Sequence, residues 1–154
     1  MNDLSMDMLR LSAKGYACSQ ILILLALDLQ GESNPGLVRA MTGLSHGMGQ
    51  CGELCGALSG GVCLLGLYAG KGADSELEHE HFQLMVAELV EWFRETPCAS
   101  CPSMRCEDIL GGPEAKPNPA KCGALVMDVY ARTMNLLLEN GIDPAIPRQE
   151  APAT

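Results

Sequence analysis

From Leu54 to Gly70 the chain runs 17 residues without a charge, and this run holds five glycines and two cysteines. It falls just short of a membrane span, which takes about 20 apolar residues. Its apolar residues Leu54, Ala57, Leu58, Val62 and Leu65 recur every three or four positions, the spacing of one helix face. The pattern predicts a buried helix over 52–70. Gly52, Gly56 and Gly60 are four apart and line one side of that helix. An interior glycine costs a helix about 1 kcal/mol relative to alanine, so close packing has to offset it. Either another helix or a cofactor can approach the backbone along that side, which makes Gly52, Gly56 and Gly60 candidate cofactor-contact positions.

Helical signals fill the rest of the chain. Gly15 divides a helix near 3–14 from a second near 16–30, whose "ILILLALDL" is apolar on nearly all faces and belongs in the core. "GESNPG" is a loop, a helix near 36–45 follows, and "HGMGQCG" is a turn. Ser75 with Glu78 reads as a capping box opening a helix to about Thr96. After the irregular "PCASCPSMRC", a short helix near 104–110 has Ser103 as its N-cap and stops at Gly111-Gly112. Asn118 as N-cap and Pro119 at N1 open the last helix, which Gly141 ends. No run of period two occurs. The expected fold is all-α, a single compact helical bundle of about five to six helices over 1–142, with 143–154 a frayed tail.

At 154 residues and 47% hydrophobic, the chain can bury a real core. Its net charge of -9 offers no basic face for phosphates, which argues against nucleic acid as a partner. "MNDLSMDMLR" has no apolar signal region, so a cytoplasmic, reducing location is expected. There, eight cysteines favour redox chemistry or metal binding over structural disulfides.

Four of these, Cys18, Cys55, Cys106 and Cys122, fall near the predicted N-termini of four different helices. Free N–H groups and the positive end of the helix dipole favour an anion there and lower a thiol's pKa. The thiolate is both the nucleophile and the metal ligand, so two chemistries remain open. Cys98-Ala-Ser-Cys101 is a CxxC pair followed by Cys106, a spacing that suits a ligand loop for zinc or an iron–sulfur cluster. The loop supplies three of the four ligands zinc needs. Cys51 and Cys55, four apart, would share a helix face and could clamp a metal. The candidate ligand set is therefore Cys18, Cys51, Cys55, Cys98, Cys101, Cys106 and Cys122, while Cys63, among Val62, Leu64 and Leu65, reads as core. Glu78 and His81 belong to a solvated acidic face. Nucleophile-elbow, Walker and dinucleotide-binding patterns are absent from the sequence.

"GYACSQILILLAL", "GMGQCGELCGALSGGVCLLGLYAG", "CEDILGG" and "KCGALVMDV" together resemble the C_GCAxxG_C_C family of redox-active proteins. Cys55-Gly56-Ala57-Leu58-Ser59-Gly60 matches its CGAxxG motif, and Cys18, Cys106 and Cys122 match its other cysteines. The resemblance spans about residues 10 to 135. It implies a helical protein with a thiol function, without supplying a reaction. The expectation drawn here is that the four thiols cycle between dithiol and disulfide and pass electrons to a partner oxidoreductase. Iron–sulfur or zinc binding through the same thiolates, or carriage of a metal to a metalloenzyme, is the alternative. The chain departs from the pattern in four extra cysteines, Cys51, Cys63, Cys98 and Cys101. It also has "LSHGMG" where a more glycine-rich aromatic stretch is common, which adds His46 as a further ligand or proton donor.

Overall fold

The computed structural model describes residues 3–148. Within them lie seven α-helices and no strand. These are α1 (Asp3–Ala13), α2 (Cys18–Gln30), α3 (Pro35–Met41), α4 (Gly56–Ala69), α5 (Phe82–Glu95), α6 (Cys106–Leu110) and α7 (Pro119–Glu139). The all-α expectation holds, with one or two helices more than expected because the short segments count separately.

Several ends follow from local chemistry. Gly31, at φ 69°, closes α2 with its N–H on the carbonyls of Asp28 and Leu27. Asn34 caps α3 through its side chain, which accepts from the Leu37 N–H at 3.1 Å, and Pro35 follows at N1. Asn118 and Pro119 do the same for α7.

Several boundaries differ from those expected, α3 among them, which ends at Met41 rather than near 45. The expected capping box at Ser75 and Glu78 does not open α5, which starts at Phe82 with His81 as N-cap. Residues 71–81 instead run irregularly over the end of α4, where the His79 N–H donates to the Ala69 carbonyl at 2.8 Å. That carbonyl would otherwise be an orphan of the helix end. The predicted helix over 52–70 begins only at Gly56, and Gly52 lies outside it at φ 72°.

Helix α4 is the centre of the bundle, with α2 against one side and α5 and α7 against the other. Gly60 and Gly61 make both approaches possible. A Cβ on Gly60 would stand 2.9 Å from Leu22 Cδ1 and 3.0 Å from Ser19 Cα; one on Gly61 would stand 2.5 Å from Val129 Cγ1. Leu58, Leu64 and Leu65 of the same helix are fully buried, against Leu22 and Ile23 of α2, Met85, Leu89 and Phe93 of α5, and Val126 and Val129 of α7. Each such leucine contributes roughly 1.5–3 kcal/mol on burial. That exceeds the glycine cost of about 1 kcal/mol per position, so packing wins and the helix forms.

Residues 143–148 are held rather than frayed. Tyr68 donates its hydroxyl to the buried Pro144 carbonyl at 2.8 Å, and Arg148 pairs with Glu76 at 3.4 Å. Bundle contacts therefore continue past the boundary expected at 142, and the remainder of the expected tail, 149–154, lies outside the described residues. No helix among the described residues is long and apolar enough to cross a membrane.

Candidate functional site

The four cysteines nearest predicted helix starts do stand at helix starts. Cys18 is the first residue of α2, Cys55 is the N-cap of α4, Cys106 is the first residue of α6, and Cys122 is the fourth of α7. All four line one cavity of about 570 Å³, together with His46 and Gly56. The rest of its wall is mostly apolar, drawn from α1, α2 and the start of α7, with Met8, Ile21 and Val126 among it. Cys55 is buried; Cys18, Cys106 and Cys122 are partly exposed.

Gly56 explains how two of these sulfurs approach. A Cβ there would stand 2.6 Å from Cys18 Sγ and 2.9 Å from the Leu44 carbonyl oxygen. The side cleared by Gly56 and Gly60 is occupied by α2, with Cys18 at its tip, and by the backbone of Leu44 and Ser45. Gly52 takes no part in it: it faces Glu107, whose carboxylate oxygen would lie 2.8 Å from an added Cβ.

The third sulfur is held by backbone. The Cys106 N–H donates to the Glu53 carbonyl at 2.5 Å and the Glu107 N–H to Gly52 at 3.2 Å, while the Cys55 N–H donates to Met104 at 3.0 Å. Leu54 and Arg105 form an isolated antiparallel bridge between these segments. The Arg105 guanidinium spans Glu53 and Glu107 at 3.3 and 3.0 Å. Ser103, expected as the N-cap of α6, gives way to Arg105 in that position; its hydroxyl accepts the Arg105 N–H and bonds Asp108. Lys121 of α7 donates its ammonium to the Ile109 carbonyl at 2.5 Å, which ties Cys122's helix to Cys106's.

A feature the sequence reading passed over as a turn completes the site. Five consecutive residues, His46 to Gln50, have φ of 52°, 71°, 67°, 58° and 71°. This is a left-handed turn, in which each non-glycine residue costs roughly 1–2 kcal/mol. The alternation of Gly47 and Gly49 with His46, Met48 and Gln50 was its signal. Gly47 is wedged so tightly that a Cβ would stand 2.4 Å from the Glu53 nitrogen and 2.8 Å from Cys106 Cβ. The turn brings a His46 backbone hydrogen bond to the Cys18 sulfur and sets His46 in the cavity wall.

Electrostatics run opposite to the helix-dipole expectation. Burial pushes Cys55 up to about 12, against the smaller opposing pull of the Ala57 and Leu58 backbone at N2 and N3, which close no formal cap bond. The Cys18 and Cys106 thiols are also raised, chiefly by burial. Mutual repulsion adds to this: Cys55 feels Cys18 and Cys106, Cys18 feels Cys122, and Cys106 feels Cys122 and Cys18. At Cys18, Cys55 and Cys106, desolvation in an apolar cavity outweighs the helix start.

The other predicted ligands are elsewhere. Cys51 is exposed in the turn before α4, not on its face, so it and Cys55 form no helical clamp. Cys98 and Cys101 are joined by a disulfide, and sulfurs so joined have no thiolate with which to ligate. Cys63 packs mid-helix against the core as expected, its pKa raised by burial. Among the described residues, no three or more His, Cys, Asp or Glu side chains are grouped to hold a metal ion.

Neither the curated proteins nor the solved structures include a match to this chain. The family model described as "Putative redox-active protein (C_GCAxxG_C_C)" matches residues 16–136, well over half of the chain and all four cavity cysteines. The chain belongs to the C_GCAxxG_C_C family.

Proposed function

We propose that the protein is a thiol redox carrier whose cavity cysteines, Cys18, Cys55, Cys106 and Cys122, cycle between dithiol and disulfide and exchange electrons with a partner oxidoreductase. The observation that carries this reading is their convergence from four helices on one apolar-walled cavity. In the oxidising direction two thiols lose two protons and two electrons and form one S–S bond; the electrons pass to the partner's acceptor. His46 is the imidazole in the cavity wall and the candidate carrier of those protons. Cys55, held near 12 by burial, is a thiol at neutral pH. It therefore suits the role of the sulfur that is attacked or that closes the bond, with attack starting from a more accessible neighbour.

The zinc and iron–sulfur alternative needs a donor group around one point, and no observation on the described residues favours it over the redox reading. Thiol titration before and after mild oxidation tests the proposal. Thiols should disappear in pairs from the cavity set; four thiols unchanged under oxidant would overturn it.

A further inference from the structure

We propose that Cys98 and Cys101 form a second thiol–disulfide couple, separate from the cavity and entered at Cys101. It lies outside the CGAxxG pattern and does not depend on the cavity reading. The two sulfurs are bonded across a loop of two exposed residues, Ala99 and Ser100, between α5 and α6. Neither cysteine lines the cavity that holds the other four.

The two ends of the bond differ. Cys98 is buried at 5% exposure and belongs to the core, whereas Cys101 is partly exposed. An external thiolate therefore reaches Cys101 Sγ first, and access decides which sulfur is attacked. Cys98 Sγ also lies 3.4 Å from the Ser103 carbonyl oxygen, an acceptor that only the S–H of the reduced form can use. The loop thus provides a partner for the leaving sulfur once the bond opens.

The exchange balances with a dithiol as reductant. Its thiolate bonds to Cys101 Sγ, the Cys98–Cys101 bond breaks, and Cys98 leaves as thiolate and takes a proton. The reductant's second thiol then attacks the mixed disulfide and closes its own disulfide, and Cys101 departs and takes the other proton. Two electrons and two protons have moved to the protein.

The position gives the couple a consequence. Ser103 to Cys106 follow directly, and this segment holds the Cys55 N–H at Met104 and carries Cys106. Opening the disulfide frees the loop that supports both.

Dithiothreitol is the probe. The folded, oxidised chain is treated with increasing dithiothreitol, quenched with iodoacetamide and mapped by peptide mass, with circular dichroism recorded alongside. Labelling at Cys98 and Cys101 is expected while the helical signal is intact. In single variants, Cys98→Ser should leave a Cys101 thiol that reacts with Ellman's reagent at least roughly tenfold faster than the Cys98 thiol left by Cys101→Ser. If the bond opens only when the chain unfolds, the pair is structural and the proposal fails. It fails equally if the folded variants react at the same rate. Should a variant not fold, the wild-type mapping decides.

Discussion

Cys55 and Cys63 lie eight residues apart on one helix, and both thiols have raised pKa values because of burial. They nevertheless belong to different regions. Cys63 sits in regular helix beside core leucines, and burial is the whole of its perturbation. Cys55 sits where the backbone is least regular, at the helix start, beside two other thiols and under a left-handed turn. Burial alone therefore does not mark the site. Convergence of helix starts does: four of them open on one cavity.

The largest effect expected from breaking this contrast is at Gly47. Gly47→Ala would drive a Cβ into the Glu53 backbone, which cannot move aside, at a φ of 71°. A loss of about 3 kcal/mol or more in urea unfolding is expected. Gly49→Ala, at φ 58° but with open space around it, should lose only about 1 kcal/mol. Equal losses would mean that conformation, not the wedge against Glu53 and Cys106, sets the cost.

Next in size is the difference between the two thiols under oxidant. Cys55→Ala should abolish one pairwise thiol loss, while Cys63→Ala should leave the oxidised thiol count of the remaining cysteines unchanged. A Cys63 variant that also lost a pair would dissolve the distinction.

A titration sharpens it further. A thiol whose pKa is raised on folding contributes stability that is present in full below its unfolded value. For Cys55 that value is 9.0, and the contribution is lost as pH rises toward about 12. Denaturant midpoints should be flat with pH below 9 on this account and fall above it, less steeply in Cys55→Ala. A midpoint falling equally in both proteins would assign the loss to other groups.

The smallest effect is at Arg105, which is exposed to solvent where it pairs with exposed Glu53 and half-buried Glu107. Arg105→Met should lower the urea midpoint only slightly, and 1 M salt should erase most of that difference. A larger, salt-insensitive loss would show that Arg105 holds the Leu54 bridge by packing.

The helices were legible because their signals are local: the all-round apolar α2, the Asn118-Pro119 opening of α7, the break at Gly15. Cys18, Cys55, Cys106 and Cys122 were legible as helix starts for the same reason. The start of α4 was misplaced because Gly52, four before Gly56, fits helical spacing while adopting a left-handed φ. The raised thiol pKa values were not legible, since desolvation depends on which distant residues close over a sulfur. The Cys98–Cys101 bond was not legible either: CxxC spacing permits a ligand loop and a disulfide alike, and only the placed sulfurs distinguish them.

The measurement that tests the central claim most directly is a disulfide map of the mildly oxidised protein by non-reducing peptide mass analysis. Peptides joined among Cys18, Cys55, Cys106 and Cys122, with Cys63 still alkylatable, are the predicted result. Cavity cysteines that all remain alkylatable under oxidant, or that pair only with Cys51 or Cys63, would contradict it.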